Sequence, residues 1–120
     1  YGNLMVNVQP TNTKLADRYD PLSPAMLSFL HWVVQQCHAV GKPITMCGEM
    51  GSRPLEAMAL LGLGFRRLSM PANAIGPVKE MLRSLSVPQL AEYMSKLYSS
   101  PEHSVRGPLE EFARENGVIV

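Results

Sequence analysis

The fold is decided by the stretch Pro43-Ile44-Thr45-Met46-Cys47-Gly48-Glu49-Met50-Gly51-Ser52-Arg53-Pro54. Its first five residues form a short apolar run, which is typical of a buried strand. The residues from Gly48 to Arg53 then predict a glycine-containing loop, and Pro54 fits the first turn of a helix, where its missing N–H costs nothing. The stretch therefore predicts a strand, a loop and a helix in succession.

Similar units lie on both sides of this stretch. Before it, Ser23 can cap a helix that Gly41 ends in the left-handed conformation. After it, the helix that Pro54 opens stops near Gly62 or Gly64. Residues 1–8 and 65–70 predict two further strands, and the apolar positions of the first helix recur at helical spacing: Met26, Leu27, Leu30, Val33, Val34 and Cys37.

Three more helices are predicted towards the C-terminus. Asn73 can cap the first, whose apolar face would comprise Ile75, Val78, Met81, Leu82 and Leu85. The pair Ser86 and Gln89 has the spacing of a capping box for the next helix. A last helix follows Pro108, with Leu109 and Phe112 inward, and ends near Asn116-Gly117.

The alternation of strands and helices indicates an α/β fold with parallel strands. Three strands are too few to close a barrel, and a full (β/α)₈ barrel needs about 250 residues, whereas this chain has 120. We therefore expect the C-terminal portion of a (β/α)₈ TIM-like barrel followed by additional helices, with residues 1–120 as a single partial domain. An open three-layer α/β sheet is the generic alternative.

Composition excludes several classes of protein. The chain is 46% hydrophobic and 18% charged, enough to form a core, and its net charge of +1 with mixed signs does not favour nucleic-acid binding. No apolar run suits a membrane span, and no signal peptide is evident. The spacing of Cys37 and Cys47 does not suit a metal site. A disulfide between them is one alternative, but a reduced, cytoplasmic protein is the simpler interpretation. Because Tyr1 is not a natural initiator, we expect a fragment, a processed chain or an engineered one.

Three stretches, in order and in register, resemble enzyme I of the phosphotransferase system, a phosphoenolpyruvate-utilising family. They are Arg18-Tyr19-Asp20-Pro21-Leu22-Ser23-Pro24-Ala25, Met46-Cys47-Gly48-Glu49-Met50 and Leu60-Leu61-Gly62-Leu63-Gly64-Phe65-Arg66-Arg67-Leu68-Ser69-Met70. The continuation Arg53-Pro54-Leu55-Glu56 resembles the nitrogen-branch form most closely.

The resemblance implies a phosphotransferase as the parent of this chain. The family moves the phosphoryl group of phosphoenolpyruvate to a histidine in its N-terminal half and on to a phosphocarrier protein, here that of the nitrogen branch, and its barrel holds phosphoenolpyruvate and Mg²⁺. We expect the chain alone to be inactive. A non-catalytic dimerisation or regulatory module is the alternative; pyruvate phosphate dikinase, another phosphoenolpyruvate enzyme, fits the 60–70 stretch less well.

Cys47 is the expected catalytic residue. Spacing alone favours a small buried hydrophobe, which free cysteines usually are, but the family motif implies the acid that protonates enolpyruvate. A thiol with an ordinary pKa of about 8.5 keeps its proton at neutral pH. Gly48 would let backbone approach the substrate, and Glu49 would orient a loop or a water or else be a solvated carboxylate.

The substrate loop of the family is only partly present. It reads Gly-Ser/Thr-Asn-Asp-Leu, where asparagine contacts substrate and aspartate binds Mg²⁺, whereas this chain reads Gly2-Asn3-Leu4-Met5. Asn3 is therefore an expected substrate ligand, and the chain is expected to carry no metal site. Mg²⁺ belongs to the intact parent, and none is expected to bind this chain alone.

Other polar and aromatic residues receive structural interpretations. Arg53 lies where a helix N-terminus favours anions, but a surface arginine is the simpler interpretation, and Cys37 is expected in the core. His31 and His38 are too far apart to chelate, while Phe29 and Trp32 are expected to pack in the barrel. An isolated fragment should self-associate as a homo-oligomer, because the missing barrel would leave an apolar face uncovered: Met26, Leu30, Val34, Ile44, Leu61 and Met70.

Overall fold

The computed structural model of the chain describes residues 4–7, 21–102 and 104–120. Two short strands and five α-helices follow one another in that part of the chain. They are β1 (Leu4–Asn7), α1 (Pro24–Ala39), β2 (Ile44–Cys47), α2 (Pro54–Leu63), α3 (Ala72–Arg83), α4 (Val87–Leu97) and α5 (Arg106–Glu115), with a 3₁₀ turn at Glu49–Gly51 after β2.

The strands β1 and β2 pair in parallel, with Leu4 opposite Ile44 and Asn7 opposite Cys47. The expected third strand at 65–70 is wrong as a strand: this segment meets β2 at one isolated bridge between Met46 and Leu68. Among the described residues, no further strand pairs with the segment on its other side. A stretch this short, between the left-handed Gly64 and Pro71, gains too few ladder hydrogen bonds to extend.

The first helix is confirmed at both ends. The hydroxyl of Ser23 accepts a hydrogen bond from the backbone N–H of Met26 at 3.2 Å, as an N-cap residue should. Gly41 follows the helix with a φ of 69°, the left-handed region that favours glycine. The inward side of α1 packs into the core through Leu27, Leu30, Val34 and Cys37.

The second helix is the centre of the packing. Every residue of α2 from Glu56 to Leu63 is buried, and the helix packs against α1, α3, α4 and α5. It ends at Gly64, which has a φ of 113°, so of the two glycines predicted to stop it Gly64 does so. Gly62 has another role: a Cβ there would lie 2.9 Å from Cγ of Met94, so its lack of a side chain lets α4 approach closely.

The three later helices are present, but some of their predicted end residues and inward-facing residues are wrong. Asn73 is not the cap of α3 but lies inside it after Pro71, and Ile75 and Leu82 are each 41% exposed rather than inward. Ser86 is the N-cap residue of α4 but makes no side-chain cap hydrogen bond. The amide of Gln89 donates to Asn116 at 2.7 Å instead of completing a capping box. The inward positions of α3 are Ala74, Val78 and Met81.

The last helix begins at Arg106, two residues before the predicted Pro108, and ends at Glu115 with Asn116 as its C-cap. Leu109 and Phe112 are buried, as predicted. Gly117 then adopts a φ of 69°, so the chain leaves the helix in the left-handed conformation.

The apolar face that was expected to be uncovered is largely the chain's own core. Leu30, Val34, Ile44 and Leu61 are buried, and Met26 and Met70 are half-buried against that core, so the prediction of their exposure is wrong. The packing of α1 against α2 supplies part of that cover. The oligomeric state stays a prediction.

The expected packing of Phe29 and Trp32 is also wrong in this chain. Their side chains are 58% and 56% exposed on the outer face of α1, where the two rings stack on each other with centroids 6.5 Å apart. Within the described residues, no helix is both long enough and apolar enough to cross a bilayer.

Candidate functional site

Cys47 is the last residue of β2, at the carboxyl edge of the sheet. Its thiol is free, and the residue is half-buried. Because β1 and β2 run in parallel, β1 ends at the same edge, with the backbone of Asn7 directly opposite Cys47. Ligands of open α/β sheets bind outside the carboxyl ends of the strands, and Cys47 lies at that edge of this sheet.

The loop after Cys47 is shaped by a glycine. Gly48 has a φ of 90° and a ψ of −162°, a conformation that L side chains rarely adopt. The carbonyl of Gly48 accepts a hydrogen bond from the hydroxyl of Ser52 at 3.2 Å, and the N–H of Ser52 donates to the carbonyl of Glu49 at 3.0 Å. The loop therefore closes on itself beside the thiol through its own hydrogen bonds.

A chain of ion pairs links this loop to the last helix. The guanidinium of Arg53 lies 3.3 Å from the Glu49 carboxylate and 3.7 Å from that of Glu56. Arg106, the first residue of α5, donates to the same Glu56 oxygen at 2.8 Å. The Glu56 side chain is only 2% exposed, and burying a charged group costs free energy unless it is paired and hydrogen-bonded. Glu56 thus ties the beginnings of α2 and α5 together.

The ion pairs determine which charged side chains of the loop are available to contact a ligand. Arg53 faces two carboxylates, so its positive charge is already balanced, and we do not assign it to anion binding. The Glu49 side chain is 79% exposed, and its pair with Arg53 is therefore weak in water. A weakly held carboxylate two residues from Cys47 can reorient towards a ligand, whereas the Glu56 carboxylate cannot.

The described residues do not provide a metal site of their own. Within 4–7, 21–102 and 104–120, no three histidine, cysteine, aspartate or glutamate side chains come together in a way that could hold a metal ion. Among the described residues, the segment that follows Cys47 carries the carboxylates of Glu49 and Glu56, both already paired with arginine. This donor set does not suit Mg²⁺, which needs free oxygen ligands, and no chemical step is derived through it. Asn3, the expected substrate ligand, lies outside the described residues.

The remaining candidates have structural roles. Cys37 is buried in α1, as predicted, and is a free thiol. His31 stacks on Tyr98 with ring centroids 4.8 Å apart, and its Nδ1 lies 3.2 Å from the Leu63 carbonyl. His38, on the same helix, is exposed.

Sequence reasoning missed Glu56 and Arg106. The spacing from Arg53 to Glu56 could have suggested a helical i, i+3 pair, but the partner in α5 lies 50 residues further along the chain. Nothing in the local pattern around Arg106 indicates that contact. It also missed Gly62 as a packing residue, because glycine near a helix end is ordinarily interpreted as a stop.

Comparison with known proteins gives a family match over most of the chain. Residues 4–87, which include β1, β2, α2 and the Cys47 loop, match the family model described as PEP-utilising enzyme, PEP-binding domain. The chain is 40% identical over 78 residues to the protein named "Phosphoenolpyruvate-dependent phosphotransferase system" of Salmonella typhimurium. That match covers 65% of this chain and 10% of the relative.

Two more relatives are named phosphoenolpyruvate-protein phosphotransferase, an enzyme. The one of Borreliella burgdorferi is 34% identical over 89 residues, which cover 74% of this chain and 16% of the relative. The one of Bacillus subtilis is 33% identical over 88 residues, which cover 73% and 15%. The matched segment therefore amounts to less than a fifth of the length of each of these relatives.

Proposed function

Because this chain belongs to the PEP-utilising enzymes, whose PEP-binding domain matches its residues 4–87, we propose that it is the C-terminal part of a phosphoenolpyruvate-protein phosphotransferase. In this proposal β1, β2 and the segment 65–70 are consecutive strands of a (β/α)₈ barrel. The parallel order of β1, β2 and the bridge at Leu68 supports it. The other strands and the phosphorylated histidine belong to parts of the parent that the match does not cover.

The parent accepts the phosphoryl group of phosphoenolpyruvate on a histidine and passes it to a phosphocarrier protein. We assign the parent to the nitrogen branch, on the strength of Arg53-Pro54-Leu55-Glu56. The ion pairs of Arg53 and Glu56 give that sequence a physical role, since both residues help to fix the start of α2 beside the Cys47 loop. The isolated chain lacks the phosphorylated histidine, so we expect no phosphoryl transfer from it.

In this proposal Cys47 supplies the proton that completes pyruvate. Breaking the bond between phosphorus and the enol oxygen leaves the enolate of pyruvate. The methylene carbon of the enolate takes the proton from the Cys47 thiol, the S–H electron pair stays on sulfur as thiolate, and the thiolate regains a proton from water. The observation that carries this role is the position of Cys47, a half-buried free thiol at the carboxyl end of a parallel strand.

Gly48 and Glu49 are proposed substrate-side residues. Gly48, with its positive φ and no side chain, leaves space for a ligand against the backbone. The exposed carboxylate of Glu49 is in reach of a water or a loop placed over the substrate. Asn3 is proposed as a further substrate ligand on sequence grounds alone.

The test uses a full-length phosphotransferase that carries this segment. Pyruvate in D₂O exchanges its methyl protons when an enzyme group removes and returns them, and ¹H NMR follows that exchange. Cys47→Ala should slow the exchange by roughly 100- to 10,000-fold, the usual contribution of a general acid or base. Cys37→Ala is the matched control, because that cysteine is buried in α1 away from the loop, and it should retain the exchange. An undiminished rate in Cys47→Ala would remove the assignment.

A further inference from the structure

A second concave site lies at the opposite end of β2 from Cys47. It is a cavity of about 350 Å³ beside Ile44, the first residue of the strand, and four side chains around it carry basic groups: His38, Lys42, Arg66 and Arg67. Among the described residues, no carboxylate lines it. A volume of this size is at the small end of the range for small-molecule sites.

The simplest explanation for the basic side chains is the ends of two helices. α1 ends at Ala39 and α2 at Leu63, and the glycines that follow these C-termini, Gly41 and Gly64, line the cavity. Cations near helix C-termini are ordinarily stabilising. Arg66 plays that part, because its Nη1 donates to the carbonyls of Leu61 at 3.0 Å and Phe65 at 2.8 Å.

The charge count leaves a surplus that the helices do not neutralise. Each C-terminus carries roughly −0.5 of an elementary charge, so the two together supply about −1. Lys42, Arg66 and Arg67 bring three full positive charges, even with His38 neutral. Within the described part of the chain, none of the three is ion-paired with a carboxylate. A net charge of about +2 therefore faces a concave surface, which focuses an electrostatic field on a small anion.

We propose that this cavity binds a small phosphate-bearing anion, a phosphate monoester or inorganic phosphate. Two negative charges balance the surplus, and the tetrahedral oxygens suit the arginine and lysine donors. The site is separate from the proposed substrate edge, because Ile44 and Cys47 are three residues apart on one strand, or about 10 Å. It does not depend on the proposed catalytic role of Cys47.

The experiment titrates the ¹⁵N-labelled 120-residue chain with inorganic phosphate at constant ionic strength set by sodium chloride. We expect saturable amide shifts at Gly41, Lys42 and Gly64 with a dissociation constant in the millimolar range or below. Lys42→Gln and Arg67→Gln should each weaken binding by about tenfold, as expected for loss of a charge-assisted hydrogen bond. Both side chains are exposed, so the variants should fold, which circular dichroism checks.

The matched control is Lys79→Gln, an exposed lysine that lines a different groove, and it should leave phosphate affinity unchanged. Shifts that rise linearly with phosphate would overturn the proposal, since they indicate only an ion atmosphere. The proposal also fails if Lys42→Gln and Arg67→Gln bind phosphate as tightly as Lys79→Gln does. Catalysis by the parent does not enter the measurement, so failure here leaves the role of Cys47 as it stands.

Discussion

The helices around α2 and the strands beside β2 bury their apolar side chains to very different degrees. α2 is enclosed on every side, and Leu60, Met58 and Leu63 are almost completely buried. β1 leaves Met5 62% exposed, and the segment 65–70 meets β2 at a single bridge. The comparison shows that α2 lies at the centre of one core, to which β2 also contributes Ile44 and Met46, whereas β1 is only partly buried. A sheet of two strands gains stability mainly from what packs on it.

The largest expected effect follows from that contrast. Leu60→Ala removes a fully buried side chain from the centre of the helices, and it should lower the free energy of unfolding by about 3 kcal/mol. Met5→Ala, on the exposed strand, should lower it by less than about 0.5 kcal/mol. Urea denaturation followed by circular dichroism measures both. Equal losses would mean that the strands contribute to the core as much as the helices do.

The buried ion pair tests whether the Cys47 loop is held from the helical side. Glu56→Gln keeps the shape of the side chain but removes the charge that Arg53 and Arg106 face. Because this carboxylate is buried, the change should lower the free energy of unfolding by about 2 kcal/mol. The control is Glu111→Gln, whose pair with Arg114 spans 3.6 Å on the surface, with an expected loss under about 0.5 kcal/mol.

The same pair of variants has a second readout at the site. If Glu56 fixes the start of α2, then Glu56→Gln should shift the amide resonances of Gly48 and Ser52 in the loop, and Glu111→Gln should not. Loop resonances that stay in place in both variants would show that the loop is held by its own hydrogen bonds alone.

Two helical glycines give a smaller and more precise comparison. Gly62→Ala places a Cβ 2.9 Å from Met94 Cγ and 3.0 Å from Leu90 Cγ, so the cost of overpacking should exceed the gain in helix propensity, with a net loss of about 1 kcal/mol. Gly76→Ala in α3 meets nothing within 4 Å and should gain about 0.5 to 1 kcal/mol. Stabilisation by both substitutions would show that α4 can move away from α2 without cost.

The elements that the sequence predicted well are those specified by local chemistry. Ser23 and Gly41 lie at the two ends of α1, and Pro54 and Gly64 lie at the two ends of α2. Each of these residues acts on the backbone within one turn of its own position. The prediction of a strand at 65–70 was wrong because a strand needs a hydrogen-bonding partner elsewhere in the chain. For α3, the predicted inward positions Val78 and Met81 are confirmed, whereas Ile75 and Leu82 are exposed and Ala74 is buried.

The residues of the candidate site also differ in whether local sequence could predict them. Cys47 could be found from the motif and from its place after a strand, since both are local. Glu56 could not, because its partner Arg106 comes from a distant helix and the burial of the carboxylate depends on how α5 packs. The basic cavity at Ile44 was hidden in the same way, since Lys42 and Arg67 each follow a different helix.

The smallest expected effect lies where α1 meets the end of α4. Burial raises the pKa of Tyr98 to about 12, above the ordinary value of about 10 in the unfolded chain. Between these values the folded chain holds the phenol proton while the unfolded chain releases it. The free energy of unfolding contributed by this group is therefore complete below pH 10 and falls as the pH rises towards 12. Tyr98 is partly exposed, so solvent reduces the size of the effect.

Tyr98→Phe isolates that contribution, because phenylalanine keeps a ring against His31 and has no proton to lose. The variant should show a shallower loss of stability between pH 10 and pH 12 than the unsubstituted chain, measured by urea denaturation at each pH. Burial also raises the pKa of Tyr93, helped by Glu111 and Glu115, so some slope should remain. Identical slopes in the two chains would mean that α1 separates from α4 before Tyr98 ionises, and that the contact between these two helices is looser than the stacked rings imply.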